Sequence, residues 1–581
     1  MNSGGTLALS ATGTGDRVAD TTPILLSDGT LRFINNGANV NATETVGPVT
    51  FASGRSVLAV GNNSTGNANV TTALTLASLV RHNHALLWVR PNTNVAHANT
   101  PTVGPGNQVM VGGTAPVTLG GNASRATNHP VIPFITSQNA SLPQPLGAGS
   151  SLTLTTYESG VGVRSLGASD FVSTTQLNSV AASLHGDGHD NLLVDASRTL
   201  GTTTVNAILF NANATLTIGS GNTLTVGSGV IAQNLGGFAG GVDAGILDLG
   251  GHEGVITSAG SFNVTPGLTN AQGLTVYSGS SGNVTLAGIN TFAGRTSILG
   301  IGLTGGVPVG VVISHDNGAN PSLNTNVGLP DTGDVLIHPG STLTIGNTNV
   351  GRRTHEVVGS VSGVGSVRLG QITSSTVSNR SALIIGNGGT GDAGAVTLDG
   401  GSINPGMIDS LEIGTLSVTT AWSGGTSIPL VIKSGELHID LGADGLSDLL
   451  AVTGSVTRVG TDPFNLVLEQ VGSFSITEGD TWRILTAGVA MDPALTFSSI
   501  VSSVPGWEFV AYVGDSNTAI AGQGDLRAIW VTAVPEPGAL VVVLAVGSVL
   551  IVRRCAGPVK PCRGAASASL QSLKPLEVEL N

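Results

Sequence analysis

The chain has 581 residues, of which 85 are glycine, 10% are charged and 40% are hydrophobic, and its formal net charge at pH 7 is −13. This much apolar side-chain surface argues against a disordered chain, and the acidic balance excludes binding to nucleic acid or to an anionic membrane through bulk electrostatics. The two cysteines are Cys555 and Cys562, so the residues that precede them contain no disulfide framework.

The first segment, MNSGGTLALSATGTGD (1–16), has neither the basic region nor the apolar core of a secretory signal peptide. Its pattern is that of the strands that follow it. We therefore expect the true start of the exported protein to lie upstream of Met1.

Short segments with apolar residues two apart recur along the chain and end in Gly, Asn or Asp, a pattern typical of strands separated by tight turns. Examples are TLALS (6–10), LTLTT (152–156), ATLTIGSGNTLTVGSG (214–229), GILDLGG (245–251), NVTLAG (283–288), STLTIGN (341–347), SALIIGN (381–387) and AVTLDGG (395–401). The best helical candidate is FVSTTQLNSVAASLHGDG (171–188).

Such short strands with small residues at the corners predict an all-β, parallel β-solenoid, in which each coil packs on the previous one. An array of β-sandwich domains is the alternative, but the chain lacks Trp-centred cores. We expect coils with inserted loops over residues 1–200 and further coils over 201–401. Residues 402–531 are richer in Phe and Trp, which favours a capping β region that seals the open end of the solenoid.

Residues 240–300 resemble a known repeat family, and this resemblance supports the solenoid prediction. The run NVTLAGINTFAGRTSI (283–298) resembles the autotransporter-associated β-strand repeat, with Phe292 where that family usually has Tyr and Arg295 where it has Gly. Residues 400–418 and 436–456 resemble the closing segment of autotransporter passengers. The resemblance implies a right-handed β-helix on the cell surface.

Two histidine-containing segments are candidate metal sites. HGDGHD (185–190) places His185, Asp187, His189 and Asp190 within six residues, although a polar turn explains the same pattern. In RHNH (81–84), His82 and His84 lie two apart on a predicted strand, which would put both imidazoles on one face. Polar positions at a strand edge account for them equally well.

A third segment, DLGADGLSD (440–448), offers the carboxylates of Asp440, Asp444 and Asp448 as oxygen ligands for Ca²⁺, although their spacing matches no known calcium loop. No Ser-His-Asp or Cys-His arrangement and no recurring carboxylate pair is evident, so we predict that the protein is not an enzyme. The alternative is a polysaccharide lyase or glycoside hydrolase built on a β-helix.

The last distinctive segment is VPEPGALVVVLAVGSVLIVRR (534–554). Its uncharged residues 538–552, extended by Ala533 and Val534 and followed by two arginines, predict one C-terminal transmembrane helix with residues 555–581 as a cytoplasmic tail. The alternative is a buried segment of the last domain.

Residues 532–554 as a whole resemble the PEP-CTERM sorting signal. The resemblance implies that a membrane exosortase recognises Pro535, Glu536 and Pro537, and that Arg553 and Arg554 anchor the topology. We therefore predict an exported structural or adhesive protein of the cell envelope, with exopolysaccharide or surface glycans as its partners.

Overall fold

The computed structural model falls into two compact units, residues 1–544 and 545–581. The residues that it describes all belong to the first unit. They are residues 4–12, 16–37, 40–62, 70–91, 103–139, 152–176, 184–234, 239–279, 282–300, 310–314, 328–346, 354–369, 381–386, 394–407, 413–419, 428–514 and 527–535.

The first strands, here called the N-terminal stack, form a seven-stranded and a four-stranded sheet from the described residues. The seven-stranded sheet contains Thr6–Ala11, Thr30–Asn35, Arg55–Asn62, Leu86–Pro91, Ile135–Gln138, Leu152–Glu158 and Gly162–Ser165. The four-stranded sheet contains Ile24–Ser27, Ala42–Ser53, Thr72–Arg81 and Asn107–Val111. All pairs are parallel except those of Leu152–Glu158, which pairs antiparallel with both of its neighbours.

The remaining strands, here called the main stack, form an 18-stranded and a 13-stranded sheet within the described part of the chain. The 18-stranded sheet contains Val172–Ser173, Leu192–Val194, Thr203–Phe210, Thr223–Gln233, Ile246–Asp248, Glu253–Ser258, Gly267–Thr269, Gly273–Ser278, Thr296–Gly300, Asp334–Ile337, His355–Val358, Ser360–Gly363, Ala382–Gly386, Val396–Pro405, Leu430–Leu441, Val456–Arg458, Phe464–Gln470 and Ser499–Ser502. The 13-stranded sheet contains Arg198–Leu200, Thr215–Ile218, Ala239–Asp243, Ser261–Val264, Val284–Leu286, Gly310–Ile313, Thr342–Ile345, Ser366–Leu369, Thr415–Thr419, Leu449–Val452, Thr481–Ala487, Ala528–Pro535 and Trp507–Val513.

Parallel pairing stacks one coil directly on the next. Val255 lies beside Thr275, and Thr275 lies beside Ser297, so these coils take 20 and 22 residues (275 − 255 and 297 − 275). Side chains alternate between the two faces of each strand, and the inward aliphatic residues of both sheets meet in one continuous core. The all-β architecture and the parallel pairing agree with the prediction from the sequence.

The N-terminal stack lies along the main stack and runs in the opposite direction. Its late residue His129 accepts hydrogen bonds from Asn191 and Asn206, whereas its early residue Gly54 donates to His338. Between them, an apolar cluster of Leu86, Val255, Tyr277 and Leu299 joins the two stacks. The antiparallel strand Leu152–Glu158 follows because the chain must reverse before the main stack begins.

The prediction of a C-terminal transmembrane helix is wrong. No helix in the described part of the chain is long and apolar enough to cross a membrane. Ala533 and Val534, which the sequence analysis added to the span, belong instead to the strand Ala528–Pro535. Alternation in this strand buries Ile529, Val531 and Ala533 in the core, while its backbone pairs with Trp507–Val513. Residues 538–552, Arg553, Arg554 and the tail 555–581 lie outside the described residues.

The described residues contain three short 3₁₀ helices, Ala126–Asn128, Ala168–Asp170 and Ala443–Gly445, and no α-helix. The helical candidate at 171–188 instead begins with the strand Val172–Ser173, and its residues 184–188 form turns and bends. Its middle, residues 177–183, lies outside the described residues.

Candidate functional site

The outer face of the 18-stranded sheet carries a row of polar side chains, here called the polar column. Each member stands beside the next on consecutive paired strands, so the side chains repeat about every 4.8 Å. All are partly exposed. The column consists of Asp334, Ser360, Ser402, Glu436, Asn465 and Ser499.

The residue that follows each member of the column points the other way, into the core. Val335, Val361, Ile403, Leu437, Leu466 and Ile500 form a matching aliphatic column in the same register. A register slip by one residue would expose this aliphatic column and bury the polar one. The alternation therefore fixes the position of every polar side chain.

Glycines beside the polar column open a groove of about 510 Å³. Its lining includes Gly359, Gly401 and Gly435 next to the polar side chains. A Cβ atom on Gly401 would lie 2.4 Å from the carbonyl oxygen of Gly359, and one on Gly435 would lie 2.4 Å from the carbonyl oxygen of Gly401. The floor of the groove is therefore backbone, and only glycine fits there.

The groove offers hydroxyl, amide and carboxylate groups rather than an apolar surface. Ser360 donates to Asp334 at 2.5 Å, and Ser499 donates to Asn465 at 2.8 Å. The Glu436 side chain is 46% exposed and lies 3.0 Å from Nε2 of His438. Beside the groove, the Lys433 ammonium lies 3.7 Å from an Asp399 oxygen. Such groups suit a neutral, hydroxyl-rich ligand that lies along the stack.

The aspartates of the calcium candidate are separated by the fold. Asp448 is fully buried and accepts hydrogen bonds from the backbone N–H groups of Gly414 and Asp440, while Asp444 lies exposed in a 3₁₀ turn with φ of +58°. Burial raises the pKa of Asp448 to about 8, and burial together with the Glu469 charge raises the pKa of Asp440 to about 6. Asp448 thus acts as an acceptor for two backbone groups that would otherwise be unpaired.

In the segment 185–190, Asp187 and Asp190 bind an arginine from the N-terminal half of the chain. Arg125 lies 2.6 Å from an Asp187 oxygen and 3.6 Å from an Asp190 oxygen. Asp190 also lies 2.9 Å from Nδ1 of His185. The hydrogen bond from Arg125 is the main reason that the pKa of Asp187 is lowered. His189 contributes its backbone N–H to Asp187.

The two histidines of RHNH do not share a strand face, because the strand ends at Arg81 and the next residues form a turn. Asn83 and His84 both have positive φ in this turn. His84 lies 2.8 Å from a Glu253 oxygen. No group of three or more His, Cys, Asp or Glu side chains that could hold a metal ion occurs among the described residues.

Of the predicted sorting residues, Pro535 ends the last described strand and pairs with Trp507. Glu536 and Pro537 lie outside the described residues.

The polar column is not among the site residues predicted from the sequence, although a recurring triplet in the sequence marks it. A glycine, a polar residue and an aliphatic residue recur in that order at 333–335, 359–361, 401–403 and 435–437.

Parallel coils with surface columns in register define the described chain as a two-sheet β-solenoid. No known protein-family model matches the sequence. The chain is 30% identical over 298 residues to the adhesin BmaC autotransporter of Brucella suis biovar 1 (strain 1330), an alignment that covers 47% of this chain and 8% of the adhesin. The chain therefore spans a small fraction of the length of this relative.

Proposed function

We propose that this protein is a non-enzymatic adhesive protein of the bacterial cell surface, and that the polar groove is where it contacts an extended glycan. The observation that carries the proposal is the polar column, which repeats one hydrogen-bonding side chain per strand above a glycine floor. The similarity to an autotransporter adhesin supports the surface location and the adhesive role.

The expected mechanism is the addition of many weak contacts. A typical hydrogen bond contributes about 0.5–1.5 kcal/mol net, so one coil alone binds a sugar weakly. Because the column repeats about every 4.8 Å, an extended glycan that follows the groove meets a new polar group at each coil. Attachment then grows with the number of coils that are contacted together.

The experiment fills the groove without disturbing the core. In Ser360→Trp and Ser402→Trp, a large side chain replaces a partly exposed member of the column. In the matched control Ser417→Trp, the same change is made on the outer face of the 13-stranded sheet. We expect retention on immobilised bacterial exopolysaccharide to fall roughly tenfold in the groove variants, which corresponds to the loss of one or two hydrogen bonds, and to stay unchanged in the control. Equal retention of all three variants and the wild type would refute the groove as the binding surface.

Sorting at the C-terminal motif is a separate part of the proposal. We propose that an exosortase-type enzyme recognises Pro535, Glu536 and Pro537, and the support for this is the sequence resemblance alone. A cut after Pro537 would leave the strand Ala528–Pro535 within the solenoid. The test is the intact mass of the protein from envelope and medium fractions, with and without alanine at these three positions. A shortened mass that disappears in the alanine variant supports sorting, and a full-length mass in both contradicts it.

A further inference from the structure

The outer face of the last three strands carries a second, different row of side chains. Thr481–Ala487, Ala528–Pro535 and Trp507–Val513 pair antiparallel, and this places Arg483 beside Trp530 and Trp530 beside Tyr512. We call these three residues the aromatic row. It lies on the 13-stranded sheet, whereas the polar groove lies on the 18-stranded sheet.

Alternation turns the aromatic row away from the core. Trp482 and Val531, next to Arg483 and Trp530, are buried in the hydrophobic core, and the two neighbours of Tyr512, Ala511 and Val513, pack against it. Arg483 is exposed, and Trp530 and Tyr512 are partly exposed. The whole chain has only 5 tryptophans and 3 tyrosines, and two of these eight residues stand side by side on the outer face of this sheet.

A positive charge completes the row. The Arg483 guanidinium lies 5.8 Å from the centre of the Trp530 ring, within the range of a cation–π contact. The chain carries a net charge of −13, so this exposed arginine is a local exception to its acidic surface. The flanking outward positions are Thr481, Thr532 and Val510, and Glu508 stands at the far corner beside Val534.

We propose that the aromatic row binds an acidic polysaccharide. The flat faces of Trp530 and Tyr512 stack against the C–H faces of pyranose rings, and the Arg483 guanidinium pairs with a sugar carboxylate in two-point fashion. The hydroxyls of Thr481 and Thr532 border the row and can both donate to and accept from sugar hydroxyls. The inference concerns a separate surface and holds whether or not the polar groove binds a glycan.

The test measures binding of the full chain to polygalacturonate and to neutral dextran by affinity electrophoresis. The variants are Trp530→Ala, Tyr512→Ala and Arg483→Gln, with Val510→Ala as the matched control on the same strand and face as Tyr512. We expect either aromatic change to weaken binding to polygalacturonate roughly tenfold. Arg483→Gln should remove the preference for polygalacturonate over dextran. Val510→Ala should change neither.

Thermal unfolding of each variant separates a binding effect from a folding effect. If Trp530→Ala fails to fold, Tyr512→Ala still tests the aromatic row, because Tyr512 lies on the outermost strand and its loss should disturb the fold less. Ser402→Trp should leave binding to polygalacturonate intact, which separates this site from the polar groove. Three results would overturn the proposal: no binding by the wild type, equal binding by folded aromatic variants, or variants that lose binding only to another protein.

Discussion

Arg81 and Glu253 are 172 residues apart in the sequence and form a two-point ion pair, with oxygen–nitrogen distances of 2.6 and 2.9 Å. The pair ties the N-terminal stack to the main stack. His84 and Thr275 bind the same carboxylate, so one glutamate collects contacts from both stacks. Burial would raise the pKa of Glu253, but its partners His84 and Arg81 hold it at about 2.

We expect Glu253→Gln to lower the free energy of unfolding by about 2 kcal/mol, because it leaves Arg81 without its charge partner. The effect is smaller than for a fully buried pair, since 16% of the Arg81 side chain and 22% of the Glu253 side chain remain exposed. Chemical denaturation measures it. The control Glu436→Gln removes a more exposed carboxylate and should change stability by less than about 0.5 kcal/mol. Equal midpoints for the two variants would count against this pair as the tie.

His338 predicts a loss of stability in acid. Burial lowers its pKa to about 3, with the His84 charge acting in the same direction. Between the ordinary pKa of 6.5 and about 3, the unfolded chain binds a proton that the folded chain does not. The stability that His338 contributes is therefore complete above pH 6.5, and it falls by about 1.4 kcal/mol per pH unit as the pH drops toward 3.

The measurement for His338 compares wild type with His338→Gln by denaturation between pH 4 and 8. Glutamine can still accept the hydrogen bond from the Gly54 N–H but does not titrate. The difference between the two stability curves should shrink as the pH falls, and parallel curves would contradict the prediction. Glu253 titrates in both proteins and cancels in the difference.

Asp448 predicts the opposite pH dependence. Its pKa is raised from 3.8 to about 8, so the folded chain holds a proton that the unfolded chain has lost. The stability that this residue contributes is complete below pH 3.8 and is lost as the pH rises to about 8, again by about 1.4 kcal/mol per unit. Asp448→Asn should lack this slope between pH 4 and 8. An unchanged slope in the variant would show that Asp448 is ionised in the folded protein.

The two faces of the 18-stranded sheet should respond very differently to truncation. Leu437 lies in the aliphatic column and is 1% exposed, so Leu437→Ala should cost about 2–5 kcal/mol. Ser402 lies on the polar column of the adjacent strand, and Ser402→Ala should change stability by less than about 0.5 kcal/mol. Thermal unfolding distinguishes them, and similar losses in both would mean that the register is not as described.

The glycine floor gives a further prediction. Gly401→Ala should destabilise the protein by about 1–3 kcal/mol, because the new methyl group would meet backbone only 2.4 Å away. In the control Gly201→Ala the nearest atom to the methyl group would be 4.0 Å away, so its effect should be small. Thermal unfolding of both variants checks the difference, and a neutral Gly401→Ala would indicate a wider floor than the structure shows.

Much of the strand pattern can be predicted from alternation alone. The segment 214–229 repeats one pattern, TLTIGSG and then TLTVGSG, and forms the strands Thr215–Ile218 and Thr223–Gln233 as that pattern indicates. However, its two similar halves enter different sheets, because one coil of the solenoid uses both. Alternation identifies the inward residues of a strand but does not say which sheet the strand joins.

The contacts between the stacks could not be predicted in the same way. RHNH reads as a strand with paired histidines, whereas the chain turns after Arg81 to bring His84 to Glu253. The contact between His84 and Glu253 forms only because the N-terminal stack packs back along the main stack. A local sequence pattern cannot predict a contact between residues so far apart in the chain. The sorting motif shows a different limit of sequence-based prediction. Ala533 and Val534 precede a long apolar run and could belong either to that run or to the alternating strand before it. In the structure they belong to the strand Ala528–Pro535.

A free solenoid can gain or lose a coil almost anywhere along its length, because each coil touches only its neighbours. Here the N-terminal stack holds the main stack at Glu253 through Arg81 and at His338 through Gly54. Inserting or deleting one coil between these points would shift one contact by a strand spacing relative to the other. The N-terminal stack therefore fixes the number of coils between Glu253 and His338. Coils that the N-terminal stack does not contact remain free to vary in number during evolution.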